Sequence, residues 1–113
     1  MEPAFVVEGY PYTAVDQNEP GVVSMPKEYN LFNNYPNPFN PTTIISYSLP
    51  KQSYVELKIY DMLGREVSTL VNKEQIAGEY KIKFDGTSLP SSIYIYSIHA
   101  GEFRASKKLM LLK

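Results

Sequence analysis

The residue best suited to acid–base chemistry is the single histidine, His99, and its surroundings decide whether the chain is a candidate hydrolase. Ser92, Ser97 and Asp85 lie close to it along the sequence, so a Ser–His–Asp triad is conceivable. Such a triad needs a sharp strand-to-helix turn that presents the serine to the base. No segment has a helical period that would supply this turn, and we therefore expect His99 to lie, partly exposed, at the end of a strand.

Calcium binding is the second candidate chemistry, because calcium binds oxygen-bearing side chains where several converge. The candidates are Asn37, Asn40, Asp61 and Asp85. The four lie in three separate segments with no acid-rich loop, and hydrogen bonds within turns explain each of them. The chain has no cysteine, which excludes thiolate nucleophiles and zinc–thiolate sites. We expect no cofactor, no metal and no catalysis.

The ten tyrosines suggest a third chemistry, the stacking of aromatic rings on sugars. The candidates for such a platform are Tyr47, Tyr54, Tyr60, Tyr94 and Tyr96. Tyrosine pairs also pack across neighbouring strands, and this is the interpretation that we prefer. A carbohydrate-binding or spacer module of a cell-surface enzyme remains the alternative function.

Length and charge limit the classes of partner. The chain has 113 residues with 11 basic and 12 acidic side chains, so its net charge of −1 gives no basis for nucleic-acid binding. No apolar run approaches the roughly 20 residues that a membrane helix needs. The first residues also lack the basic and apolar pattern of a signal peptide. We expect no nucleic-acid partner and no transmembrane segment.

Short alternating segments separated by turns are the elements that must position any site. Leu57 and Ile59 fall on one face of their segment, and Ile82 and Phe84 on one face of theirs, so all four are predicted core residues. Gly64 closes the hairpin turn 61–64 and is expected to take a positive φ. Predicted strands cover 42–49, 54–60, 65–71, 80–84, 93–98 and 103–112. This spacing predicts an antiparallel β-sandwich, with 93–98 central and covered on both faces.

Two segments depart from this regular pattern. Residues 1–28 are rich in proline and glycine and are interpreted as a linker or tail from an upstream region. The short apolar piece Phe5-Val6-Val7 could be a strand, so the alternative is the end of an upstream domain or an edge strand added to this one. Residues 35–41 hold three prolines, which forbid a helix and favour a stiff, extended approach to the first long strand. Phe39 is expected to plug one end of the core.

The last predicted strand has a conflict in its phase. Phe103, Ala105, Leu109 and Leu111 would share one face, but Lys107 lies on that face as well. Either a bulge near 107–108 moves the lysine out, or its side chain snorkels to solvent.

Several of these segments form a set of motifs in a fixed order, which ends at the chain terminus. They are Tyr35-Pro36-Asn37-Pro38-Phe39-Asn40-Pro41, the run 57–67 that contains Gly64, residues 77–80, the tyrosine strand 93–96 and the closing run 107–113. Over 29–113 the chain resembles the C-terminal sorting domains of type IX secretion cargo, in the class called type A.

The resemblance implies an immunoglobulin-like sandwich of about seven strands and a role without chemistry. Residues 29–113 would be the sorting domain of an upstream cargo protein, read by the type IX outer-membrane translocon. A sortase-like peptidase would cut within 10–26. The protein would then be secreted or held at the cell surface of a Gram-negative bacterium, after passage through the periplasm.

The closing run is the predicted recognition handle. Its residues are Lys107, Lys108, Leu109, Met110, Leu111, Leu112 and Lys113. Four consecutive apolar residues on one strand must point to both faces, so one face is predicted to pack on the core and the other to dock, with the backbone free to extend a partner's sheet. Lysines on an edge also prevent aggregation, which is the alternative explanation for them.

Overall fold

The computed structural model of the chain describes residues 6–7 and 25–113, and all regular structure within these residues is β-strand. The strands are β1 Val6–Val7, β2 Asn30–Leu31, β3 Thr42–Leu49, β4 Ser53–Tyr60, β5 Glu66–Gln75, β6 Gly78–Asp85, β7 Ser92–Ala100 and β8 Phe103–Leu111. In this described part of the chain there is no helix long and apolar enough to cross a membrane.

The six long strands follow the predicted period-2 segments. In β6, Ile82 and Phe84 are buried while Lys81 and Lys83 are exposed, as the alternation predicted. Leu57 and Ile59 of β4 are fully buried, so all four predicted core residues are confirmed. The strand β5 continues to Gln75, beyond its predicted end at 71.

The strands form two sheets with the orders β1-β6-β3-β2 and β5-β4-β7-β8, and neighbouring strands are antiparallel. This order places β2, β3 and β6 where strands A, B and E of an immunoglobulin domain lie, and β4, β7 and β8 where C, F and G lie. The predicted antiparallel β-sandwich is therefore confirmed.

The N-terminal tail contributes an edge strand. Val6 pairs with Ile82 and Val7 with Lys81, so β1 extends the first sheet at β6. The rest of the predicted tail up to residue 24 lies outside the described residues. The division into a tail of 1–28 and a domain of 29–113 stays a prediction.

Buried tyrosines form much of the centre of the core. Tyr47 and Tyr80 stack with ring centroids 5.3 Å apart, and their hydroxyls bond to Gln75 and to the carbonyl of Ile76. Burying the rings is favourable because each polar tip finds a partner. Tyr47 and Tyr80 are register partners on β3 and β6, so packing across strands is confirmed for this pair.

The central strand β7 corrects one expectation. It lies between β4 and β8, but only its inner face is fully buried, with Tyr94, Tyr96 and Ile98 pointing inward. Ile93 and Ile95 lie on the outer face and are half-buried. Coverage on both faces was a wrong prediction, because a continuous apolar run carries no alternation that reveals the phase.

Candidate recognition surface

The C-terminal strand β8 forms one edge of the second sheet and buries alternate residues. Leu109 is 1% exposed and Leu111 is fully buried, while Met110 points to the outer face and Leu112, just past the strand, is 52% exposed. The closing apolar run therefore divides between core and surface, as a single strand requires.

The phase conflict at Lys107 resolves without a bulge. The β7–β8 register runs unbroken from the pair Ser92–Leu111 to the pair Ala100–Phe103. Lys107 consequently stays on the inner face, where it is half-buried, as expected of a lysine that snorkels from a sheet edge. The predicted bulge is wrong and the snorkelling alternative holds.

The proline-rich segment closes part of the edge of β8. The N–H of Phe39 donates to the carbonyl of Met110 (2.9 Å), and the carbonyl of Phe39 accepts from the N–H of Leu112 (3.0 Å). The side chain of Asn37 accepts from the N–H of Met110 (3.0 Å). Phe39 is only 2% exposed and plugs this end of the core, as predicted.

The same segment is anchored to the first sheet on its upstream side. Tyr35 forms an antiparallel bridge with Ile44 of β3. The buried side chains of Asn34 and Thr43 both donate to the carbonyl of Pro36. Residues 35–41 thus pass from one sheet to the other, and the peptide bonds preceding all three prolines are cis. Pro38 lines a groove of about 200 Å³ with Ile93 and Met110 on the outer face.

The lysines of the closing run have different surroundings. Lys108 is exposed on the outer face, opposite in direction to Lys107. Lys113 is tied to the loop before β7, since its N–H donates to Ser91 and its ammonium group to the carbonyl of Thr87. The run therefore does not form one continuous charged handle. Arg104 lies on the same outer face, four residues before Lys108. The sequence analysis did not single it out, although the period of two in a strand places residues 104 and 108 on one face.

Gly64 lies in the hairpin between β4 and β5. Its φ is +85°, as predicted. The carboxylate of Asp61 accepts hydrogen bonds from the N–H groups of Leu63 and Arg65 and from the Arg65 side chain (2.7 Å). These bonds, with that from the Arg65 backbone the largest contributor, hold the pKa of Asp61 below its ordinary value of 3.8.

The residues of the imagined triad are not brought together. His99 lies on the outer face of β7 with its Nδ1 3.8 Å from a carboxylate oxygen of Glu56. Asp85 ends β6 in the other sheet, where Thr87 bonds to its carboxylate through both N–H and hydroxyl. In residues 25–113 no three histidine, aspartate or glutamate side chains gather as a metal site requires.

The candidate sugar platform is also not assembled. Tyr47, Tyr94 and Tyr96 are buried in the core, and only Tyr54 and Tyr60 of the five reach the outer face of the second sheet. These two lie near opposite ends of β4. Their separation leaves no contiguous aromatic surface for a ring to stack on.

Comparison with known proteins identifies a family. A family model described as the secretion system C-terminal sorting domain matches residues 33–112. The match begins just before the proline-rich segment and includes all six long strands. No curated protein gives a significant match to the chain.

Proposed function

Because the chain belongs to the family of type IX secretion C-terminal sorting domains, we propose that residues 29–113 direct an upstream cargo protein through the outer-membrane translocon without any chemistry of their own. The observation that carries this proposal is the extent of the family match, which includes all six long strands of the sandwich and nearly all of the closing run. Family membership indicates a secreted or cell-surface protein. We propose that it reaches the outer membrane by way of the periplasm of a Gram-negative bacterium.

The positions of the two ends of the domain support this role. Tyr29 stacks on Phe103 at the start of β8, with ring centroids 5.2 Å apart, and its hydroxyl bonds to Ser53. Leu111 and the chain terminus lie at the far end of the same strand. Cargo attached before Tyr29 would thus leave the closing run accessible to a translocon subunit. We also propose that a sortase-like peptidase cuts within 10–26.

We keep the closing run as the proposed recognition handle, but its residues divide into a buried set and an accessible set. Leu109 and Leu111 support the fold, and the accessible part is formed by Lys108, Met110 and Leu112 with the ammonium group of Lys107. Deleting 109–113 would remove two core side chains together with the handle. A double substitution, Lys107→Ala with Lys108→Ala, removes the charges and leaves those core side chains in place.

An export assay tests the function. A fluorescent reporter carrying a general export signal and ending in residues 29–113 is expressed in a strain with a type IX system and in an isogenic strain without its translocon. We expect the reporter outside the first strain and in the periplasm of the second, and also in the periplasm of the first strain when 109–113 are deleted. Equal export from both strains, or retention of the domain on a glycan column with no export, would refute the proposal.

A further inference from the structure

The strand β8 presents the longest regular free edge among the described strands. The two edge strands of the first sheet, β1 and β2, have only two residues each. The other edge of the second sheet, β5, pairs with β4 through two register shifts, which twist and interrupt it. By contrast, β8 keeps an unbroken register with β7 over its full length. Long regular edges attract a further strand unless something blocks them.

The direction of the backbone groups shows which part of this edge is open. The carbonyl of Met110 and the N–H of Leu112 point away from β7, because they bond to Phe39. In a regular strand the same parity holds for every second residue. The N–H and carbonyl groups of Arg104, Ser106 and Lys108 therefore point outward as well, and no described residue bonds to them.

Phe39 occupies the next position along this edge, so the chain already uses β8 as a template for strand addition. The bridge between Phe39 and Leu111 is parallel and ends the open stretch on its C-terminal side. The free edge thus spans 104–108, enough for a short extended segment.

The charges along the free edge specify the kind of segment. Arg104, Lys107 and Lys108 are all cationic, and none forms a salt bridge with a described residue. Two copies of the chain paired antiparallel about Ser106 would set Arg104 of each copy opposite Lys108 of the other. Like charges directly opposed destabilise a strand pair, whereas opposite charges stabilise it. The edge therefore disfavours a second copy and favours an acidic strand.

We propose that the edge of β8 from Arg104 to Lys108 binds an extended acidic segment of a partner protein, which adds to the second sheet as a further strand. Its outward backbone groups hold the main chain of the partner, and Arg104 and Lys108 face carboxylates spaced four residues apart. This inference rests on the proposed function only in assigning the partner to the secretion machinery.

A peptide that reads the same in both directions tests strand addition in either orientation. The probe is acetyl-Thr-Glu-Val-Thr-Val-Glu-Thr-amide with a fluorescent label, and its matched control has lysine in place of both glutamates. Fluorescence anisotropy with the full chain is expected to show binding of the glutamate peptide that is roughly tenfold or more tighter than that of the lysine peptide. Equal binding of the two peptides, or none of either, would overturn the proposal.

Two variants separate the backbone from the charges. Ser106→Pro removes one outward N–H that β7 does not use, and is expected to weaken binding roughly tenfold or more, while Ser106→Ala keeps the N–H and the binding. Arg104→Glu with Lys108→Glu, on exposed positions, is expected to reverse the preference in favour of the lysine peptide. The charge variant keeps the test decisive if the proline variant does not fold. A chain dimer that Ser106→Pro dissociates would instead identify a second copy as the occupant and refute the proposal.

The reporter assay distinguishes this inference from the function on which it rests. If the wild-type fusion is exported and the folded Ser106→Pro and charge-reversed fusions remain in the periplasm, the inference is supported. If both variants are exported like the wild type, the edge has no role in recognition and the sorting function stands. If the wild-type fusion is itself not exported, the proposed function fails, and the peptide binding alone decides on the edge.

Discussion

Phe39 and Leu111 are partners in a parallel β-bridge, which joins the proline-rich segment to the last strand of the chain. The ring of Phe39 also packs beside that of Phe84 from the first sheet, with centroids 6.0 Å apart. One residue thus closes the end of the core, contacts a strand of each sheet and covers the backbone where the chain ends. The start and the end of the family motif are thereby held together.

Phe39→Ala is expected to destabilise the domain strongly. Phe39 is 2% exposed, and a buried phenylalanine replaced by alanine costs about 3–5 kcal/mol. Urea denaturation followed by tyrosine fluorescence measures the free energy of unfolding. The matched control is Phe32→Ala, because Phe32 is 46% exposed and its carbonyl, not its ring, bonds to Tyr96. Equal losses in the two variants would show that Phe39 is not a core residue.

Sequence periodicity located the long strands because each sheet buries one face. In β6 the alternation of Ile82 and Phe84 with lysines is complete, so the strand and its inner face were both predictable. The turn at Gly64 was predictable for a local reason as well, since its backbone conformation is one that other residues rarely adopt.

Long-range pairing was not predictable by the same means. Nothing local indicates that Phe39 pairs with Leu111, or that the hydroxyl of Tyr96 meets the carbonyl of Phe32, 64 residues away. The recognition surface depended on such pairing, because the bonds of β8 to Asn37 and Phe39 show which of its backbone groups point outward. Arg104 and Ser106 became candidate residues through that geometry.

Gly86→Ala is expected to destabilise the domain by crowding. A Cβ at this position would lie 3.1 Å from Cδ2 of Leu111 and 3.4 Å from Cε2 of Phe39, at the end of the core that Phe39 closes. Overpacking of this kind costs about 1–3 kcal/mol. The cost should fall in a double variant with Leu111→Val, which removes bulk near the new methyl group, relative to Leu111→Val alone. Additive losses in the two variants would contradict this account.

Gly64→Ala is expected to destabilise the domain through backbone strain instead. No atom lies within 4 Å of the added Cβ, but the φ of +85° disfavours any side chain by about 1–2 kcal/mol. Asparagine tolerates this conformation better, so Gly64→Asn should recover part of the loss in a thermal melt. A larger loss with asparagine than with alanine would show that space, not conformation, limits the site.

Asp61 is expected to make the domain less stable in acid. Its folded pKa is held below the ordinary 3.8, first by the backbone N–H of Arg65, so the unfolded chain takes up the proton at higher pH. The contribution is therefore complete above the unfolded pKa and is lost as pH falls through the folded pKa. In denaturation experiments at a series of pH values, Asp61→Asn should flatten the decline in this range. Arg65→Ala should keep most of the decline, because the backbone donors remain. An unchanged decline in Asp61→Asn would contradict the assignment.

Tyr96 is expected to limit stability in alkali and to support the fold at neutral pH. Its hydroxyl donates to the carbonyl of Phe32 (2.6 Å), and burial raises the pKa of Tyr96 from 10.0 to about 12. Between these values the unfolded chain loses a proton that the folded chain keeps, so stability declines as pH rises. Tyr96→Phe should flatten that decline and, at neutral pH, cost about 1–3 kcal/mol because the carbonyl of Phe32 loses its partner. The control Tyr54→Phe changes an exposed hydroxyl that bonds to Asn72, and it should leave both measurements nearly unchanged. A neutral-pH stability equal to wild type, with the same decline in alkali, would show that the Tyr96 hydroxyl is exposed to solvent.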